Sequence, residues 1–433
     1  MRVCGKEAIC AAFIVATVIL PVRATTRTWV DNPGSTDWFS SSNWSPAGTP
    51  SGLDELRVLT GTPTGGANIK TYGGGSILIN TVALTSSEGV YVGSWGAGSG
   101  RVESGGDIVC RFANVGADLD SVGVMEIDGI GSTWQVTQQL RVGNAGDGTL
   151  KITGGAVVTC ESEGLLAVGE ESYGRLLIDG NGSVWNTESN FSVGYRGGAE
   201  MTIRNGGAVY SAKGYVGLDP MADATAIIEG TGSKWECTSG LFVGSYGTGG
   251  LTVRDSGRLL STWGSIAYTG GSEGRVTIEG NSSRWDSSES IFVGGGINGA
   301  GGQGRLEVNP GAEAHAQKEL TLFPGGTIAI GLNGTAAGKY GQIIADEIAT
   351  FDGTLEIHVA AGAALTRGES MDIITYSQTA TTFADVRIFG SAPDSFEWEY
   401  GEGALELTYV PEPVTLFLMV GCLALLPKRK RMS

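Results

Sequence analysis

The segment Gly180-Asn181-Gly182-Ser183-Val184-Trp185 decides the fold, because close copies of it recur at a fixed distance along the chain. The tryptophans that end these copies are separated by 51, 50 and 50 residues. Glycine pairs (Ser-Gly in one case) lie between the copies, and counting three residues on from each pair gives another apolar residue. The combined column has a period of about 25 residues and reads Val109, Trp134, Val158, Trp185, Tyr210, Trp235, Leu260 and Trp285.

Two further patterns repeat with the same period. Val-Gly pairs recur from Val92 to Val293, with Val168 among them and Ala267-Tyr268 filling one gap. Alternating triads such as Met125-Glu126-Ile127 indicate half-buried strands. Each unit therefore holds about three short strands with glycine-rich corners, and it can bury its apolar face only by stacking on its neighbours. The sequence predicts an all-β protein, a right-handed parallel β-helix of about 25 residues per coil.

Changes in this pattern predict five segments. They are a signal peptide at 1–24, an N-terminal cap at 25–80, the β-solenoid repeats at 81–316, a β-rich C-terminal cap at 317–409 and a sorting signal at 410–433. A solenoid needs closed ends, since an open strand pairs with other chains. The aromatic residues of the N-terminal cap are predicted to plug the first coil, with a carbohydrate-binding platform as the alternative. They are Trp29, Trp38, Phe39 and Trp44.

The start of the chain resembles a secretory signal. Arg2 and Lys6 precede an apolar run at 8–20, and small residues follow it. This order predicts cleavage by signal peptidase between Ala24 and Thr25. We therefore expect an exported protein.

The other end carries Val410-Pro411-Glu412-Pro413, then the apolar run 414–426, then the basic tail Lys428-Arg429-Lys430-Arg431. A basic tail after an apolar helix stays on the cytoplasmic side, so the segment predicts a short transmembrane helix. This layout resembles the PEP-CTERM sorting signal of bacterial envelope proteins. The resemblance implies that an exosortase processes the chain at the Pro-Glu-Pro region. The repeat at 90–308 is similar to that shared by autotransporter passengers and PEP-CTERM proteins.

The charge of the chain excludes two classes of binding partner. Between Thr25 and Pro413 the chain has 21 basic and 44 acidic residues, a net charge of −23. Such a surface repels nucleic acid and anionic lipid.

Cys110, Cys160 and Cys237 fall on separate coils, about 10 Å or more apart, which is too far for a disulfide. We expect them to be small core or strand residues.

No residues with catalytic spacing stand out. One acid recurs at the same place in each unit, and the two histidines, His315 and His358, have no companions at metal-ligand spacing. The recurring acids are Asp128, Asp179, Glu229 and Glu279. The tryptophan rings are expected to point inward; an outward stripe that stacks on sugars is the alternative.

The sequence thus predicts a secreted protein of the cell surface or biofilm matrix, structural or adhesin-like, with no enzymatic activity, cofactor, metal site or catalytic residue. We expect it to contact the membrane only through its C-terminal segment, which anchors it transiently in the inner membrane before processing. Weak calcium binding to the acidic surface stays open. The alternative is a β-helix that binds or cleaves extracellular polysaccharide.

Overall fold

The computed structural model describes residues 25–30, 35–390 and 395–411. Within these ranges a 3₁₀ helix spans Ser41–Asn43, and every other element is a strand. The strands of the N-terminal third are β1 Thr26–Trp29, β2 Trp44–Ser45, β3 Glu55–Val58, β4 Thr64–Gly65, β5 Ile69–Thr71, β6 Gly75–Asn80, β7 Ala83–Val92, β8 Ala97–Glu103, β9 Asp107–Val115, β10 Val122–Asp128, β11 Thr133–Val136, β12 Leu140–Val142 and β13 Asp147–Thr153.

The remaining strands follow in chain order. The middle third contains β14 Val157–Cys160, β15 Gly164–Leu166, β16 Tyr173–Asp179, β17 Val184–Thr187, β18 Asn190–Val193, β19 Gly198–Arg204, β20 Ala208–Ser211, β21 Lys213–Val216, β22 Asp223–Glu229, β23 Lys234–Val243, β24 Thr248–Arg254, β25 Arg258–Ile266, β26 Glu273–Glu279, β27 Arg284–Ser287 and β28 Ser290–Val293. The last third contains β29 Gly295–Gly296, β30 Gly299–Ala300, β31 Gln303–Val308, β32 Glu313–Ala316, β33 Glu319–Leu322, β34 Gly326–Gly334, β35 Gln342–Phe351, β36 Thr354–Ala364, β37 Ser370–Thr379, β38 Asp385–Gly390, β39 Phe396–Tyr400 and β40 Ala404–Tyr409.

These strands stack in parallel into a β-solenoid of about 13 turns, which confirms the predicted fold class. A typical turn has three strands. One, such as β16, belongs to a sheet of 16 strands that we call sheet 1; the next two, β17 and β18, belong to the opposite sheet 2. Alternate side chains of both sheets point into one continuous core between them.

Sheet 1 has the register that the alternating triads predict. Met125 pairs with Leu150 and Ile127 with Ile152, and the same apolar ladder continues turn after turn. Residues of this ladder are 0–3% exposed between Met125 and Ile178. The apolar alternation therefore excludes a slip of one residue in this sheet, because such a slip would turn every core side chain to solvent.

The tryptophan column differs from the prediction at three positions. Trp134 pairs with Ile108, and Trp235 pairs with Val209 and Leu259. The buried column is Ile108, Trp134, Val158, Trp185, Val209, Trp235, Leu259 and Trp285. Val109, Tyr210 and Leu260 lie one residue later on their strands and are only partly buried.

The error comes from the corners. In the corner before Val158 the glycine pair occupies the first two of the three residues between strands, whereas in the other three corners the pair occupies the last two, so a fixed count from the pair overshoots there. The steps of the true column are 26, 24, 27, 24, 26, 24 and 26 residues. A shift of one residue along a strand changes the face on which its side chain lies.

The Val-Gly column also differs in two turns. Val142 pairs with Leu166 and Val293 with Ile266, so Val168 and Ala267-Tyr268 are not its members. The residue after each of these column positions adopts a left-handed conformation, with φ +75° at Gly143, for example. In the two deviating turns Ala167 and Ala267 adopt it instead, at φ 56° and 59°. The turn geometry is therefore kept where the glycine is missing, at some cost in backbone strain.

The stack extends past the boundaries predicted at 81 and 317. Strands β1, β3 and β6 lead in parallel to β8, and β31 continues in parallel through β34 and β36 to β38. At the N-terminal end Trp29, Trp38 and Trp44 are 2–3% exposed and pack edge to face, so these rings close the core. At the other end β39 and β40 form an antiparallel hairpin, and β40 pairs with the edge of β37. The turns at both ends lack the repeated phrases, which is why the sequence suggests separate caps.

Candidate functional site

The tryptophan rings are part of the core, so the outward sugar-binding stripe is excluded. Trp134, Trp185, Trp235 and Trp285 are each 0% exposed. A glycine or alanine occupies the facing position one turn earlier, and a Cβ added at Gly214 would lie 2.6 Å from Cζ2 of Trp235. Large and small residues thus alternate between successive turns. This alternation explains why the sequence repeats most clearly every two turns.

The ring nitrogens of three of these tryptophans are bonded inside the core. Nε1 of Trp235 donates to Oγ of Ser211 at 3.2 Å, and Nε1 of Trp285 donates to Oγ of Ser261 at 3.0 Å. Nε1 of Trp134 donates to Sγ of Cys110 at 3.4 Å. These indoles are therefore held by polar atoms as well as by packing.

The serine of each repeated phrase has a structural role that the sequence did not reveal. Oγ of Ser183 accepts the backbone N–H of Gly155 on the previous turn at 3.0 Å, and Oγ of Ser233 accepts that of Gly206 at 3.0 Å. Both serines are fully buried. The hydroxyl thus supplies an acceptor for a corner N–H that the ladders leave unpaired. Its fixed place in the phrase was the signal that could have identified it.

The recurring acids form a ladder with basic and polar residues of the turns between them. The register runs Asp128, Thr153, Asp179, Arg204, Glu229, Arg254, Glu279 along one column of sheet 1. Nη2 of Arg204 lies 2.7 Å from Oδ2 of Asp179, and Nη2 of Arg254 lies 2.6 Å from Oε2 of Glu229. The acids therefore do not converge on one point, and their neighbours offset their charge.

Hydrogen bonds favour the ionised form of one acid in this ladder, Asp179. Burial by itself would raise the pKa of Asp179, but hydrogen bonds from Asn205 and Arg204 outweigh it and hold the pKa below its ordinary value of 3.8. The carboxylates are partly exposed, so each pair contributes little to stability. The ladder is a charged column on the outside of the rod, and its acids are paired with basic and polar residues of the same column.

The three cysteines lie in the core, as predicted. Cys110, Cys160 and Cys237 are free and buried. Cys110 and Cys160 both pair with Val136, so a whole turn separates them. Burial raises the pKa of Cys110 and of Cys237 to about 12, and that of Cys160 to about 11. These thiols are therefore poor nucleophiles.

One of the two histidines, His315, meets an arginine and an acid from neighbouring turns. Nδ1 of His315 lies 2.8 Å from Nη2 of Arg284, and Nε2 lies 2.9 Å from Oδ1 of Asp346. Because arginine can only donate, Nδ1 accepts and Nε2 carries the proton that Asp346 accepts. Within the described ranges, no group of three or more His, Cys, Asp or Glu side chains is placed to hold a metal ion.

The second histidine, His358, lines a cleft. This cleft of about 440 Å³ is lined by Asn309, His358 and Phe389, among others. Nε2 of His358 lies 3.0 Å from Oε2 of Glu356, which Nη1 of Arg305 contacts at 2.7 Å. Burial would raise the pKa of Glu356, but these partners outweigh it and lower the pKa below 4.5. Glu356 is therefore a carboxylate at neutral pH.

An aromatic cluster occupies the outer face of sheet 2, and the sequence analysis did not identify it. The rings of Tyr215 and Phe242 stack at 4.9 Å with an angle of 4° between their planes. Trp263 and Tyr268 approach Phe242 edge to face at 4.8 and 5.2 Å. We call these four residues the aromatic cluster. Its members lie on different turns, and only the pairing of the strands in the structure shows that they are neighbours.

Most of the terminal signals lie outside the described residues. This holds for Ala24, for Glu412 and Pro413, for the apolar run 414–426 and for the basic tail Lys428 to Arg431. Thr25 is described, and its N–H lies 3.3 Å from Oδ1 of Asp54. The N–H of Val410 donates to the carbonyl of Ser395 at 2.7 Å, and Pro411 follows it.

The fold and these surfaces define an acidic parallel β-solenoid with a buried tryptophan column. No family model and no curated protein matches the chain. Among the residues that the structure describes, no helix has the length and apolar character needed to cross a membrane.

Proposed function

We propose that this protein is a non-catalytic, secreted structural or adhesin-like protein of the bacterial cell surface or extracellular matrix, sorted by an exosortase through its C-terminal signal. The observation that carries the proposal is that the repeated residues of the chain build the rod itself. The tryptophans fill its core, the phrase serines close its corners, and the repeated acids pair along its length. Repetition without a convergent site is typical of a scaffold.

The two ends of the sequence support the cellular part of the proposal. An export signal at 1–24 would carry the chain out of the cytoplasm, and the segment 410–433 would hold it in the inner membrane until processing. The net charge of −17 for the whole chain favours solubility outside the cell over contact with nucleic acid. Signal peptidase and exosortase are therefore the proposed processing partners.

Fractionation of the native host, with and without its exosortase, tests this proposal. We expect a surface or medium form whose intact mass lacks the first 24 residues and the tail after Pro413. That form should disappear when the exosortase gene is deleted. A full-length C-terminus in the inner membrane of both strains would contradict sorting.

A pair of variants makes this test specific. Glu412→Ala removes the central charge of the Pro-Glu-Pro motif and should block processing. Glu406→Ala removes the same charge from an exposed position on β40 and should be processed normally. Equal processing of the two variants would argue against recognition of this motif.

The second candidate function is cleavage of polysaccharide, and the cleft beside His358 is the observation that favours it. A glycoside hydrolase needs one protonated acid and one carboxylate. The lowered pKa of Glu356 leaves it without a proton to donate at neutral pH. Release of reducing ends from polysaccharide by the purified protein, lost in Glu356→Gln, would establish this function in place of the scaffold.

A further inference from the structure

The aromatic cluster lies where the stacking of the rod does not require aromatic residues. Tyr215 and Phe242 are partners in one outward column of sheet 2. The turns on either side place Ser192 and Ser265 in that column and stack in the same way. The turns of the solenoid can therefore stack without aromatic rings at these positions.

The cluster is partly open to solvent. Phe242 is 8% exposed and forms its floor, whereas Tyr215, Trp263 and Tyr268 are only partly buried around it. Tyr246, at the corner that follows Phe242, is 51% exposed. Side chains that cost free energy to leave in water are thus gathered on one face of the rod.

Planar polar groups lie beside these rings. Oε2 of Glu163 accepts from Nε2 of Gln139 at 3.0 Å, and Oε1 accepts from Nδ2 of Asn190 at 3.2 Å. Glu163 is close enough to Tyr215 that, after burial, its charge is the next cause of the raised pKa of that phenol. The two amides hold the carboxylate in a fixed orientation, with oxygen lone pairs and N–H groups left to bond a ligand.

We propose that the aromatic cluster, with Glu163 and Asn190 at its side, is a binding site for a neutral polysaccharide built of pyranose rings. The C–H faces of such rings stack on Tyr215 and Trp263, and their hydroxyls bond the amide and carboxylate. The ligand is uncharged because a polyanion would be repelled by Glu163 and by the net negative charge of the chain. This inference deepens the proposed function, on which it rests, by assigning the adhesive surface and its ligand.

Binding of the mature protein to defined polysaccharides tests the site. Affinity gel electrophoresis would compare hydroxyethyl cellulose, laminarin, galactomannan and dextran, all neutral, with the anionic alginate. We expect retardation by at least one neutral polymer and none by alginate. Tyr215→Ser, which copies Ser192 of the preceding turn, and Trp263→Ser should each lower the affinity about tenfold, the scale of one lost aromatic stack with its area.

The control is Trp95→Ser, which removes an aromatic ring that is 74% exposed on another part of the rod. It should bind as the wild type does, and circular dichroism should show all three variants folded. Binding of alginate alone, no binding to any neutral polymer, or equal binding by Tyr215→Ser and Trp95→Ser would each overturn the site. Surface fractionation is a separate measurement, so a secreted protein that fails to bind leaves the proposed sorting intact.

Discussion

Replacement of Gly214 by alanine is the most direct test of the core. Gly214 lies on β21 and faces inward with an ordinary backbone conformation, so the new methyl group acts only through packing. Its Cβ would lie 2.6 Å from Cζ2 of Trp235, 2.8 Å from Sγ of Cys237 and 3.0 Å from Cδ1 of Leu241. Trp235 is fully buried. Overpacking of this kind costs about 1–3 kcal/mol.

Local hydrogen exchange is the appropriate assay, because a stack of turns opens in parts. A loss of about 2 kcal/mol lowers the protection of amides in β20, β21 and β23 by roughly thirtyfold, with terminal turns unaffected. Gly250→Ala is the matched control, since its Cβ would meet Cγ2 of Thr225 at an ordinary 3.6 Å. It should leave exchange unchanged or slow it slightly.

A second substitution identifies the clash. Trp235→Leu removes the ring that the methyl group meets, so its cost should be smaller in the Gly214→Ala background than in the wild type. Equal exchange in Gly214→Ala and Gly250→Ala, or costs that simply add in the double variant, would refute the alternation of large and small residues as the cause of the two-turn repeat.

Two other predictions concern titratable groups. Arg204→Gln should raise the pKa of Asp179 toward its ordinary value, because the guanidinium bond is lost. A depressed folded pKa contributes stability that is present above the unfolded value of about 3.8 and lost as pH falls through the folded pKa. Exchange in wild type and variant should therefore differ at pH 6 and converge near pH 2; a constant difference would contradict the pairing. The three core cysteines, with pKa values of about 11 to 12, should resist iodoacetamide at pH 8 until the protein is unfolded, as peptide mass spectrometry would show.

The sequence determined the fold class, the period and the inward direction of the tryptophans. Apolar alternation carries this information, since strands bury every second residue whatever their neighbours are. It also placed the cysteines in the core. It misplaced Val109, Tyr210 and Leu260 because the glycine pair does not keep one place within its corner, and only the paired backbones show where each strand starts.

Only the tertiary structure decided what lies side by side on successive turns. Residues about 25 positions apart become neighbours across one strand spacing, so the pairing of Asp179 with Arg204 follows from register alone. The stack of Tyr215 on Phe242 has the same origin. A repeat specifies its core through periodicity, which a sequence displays. Its outer columns are set by the register of each turn, which becomes visible only when the strands are paired.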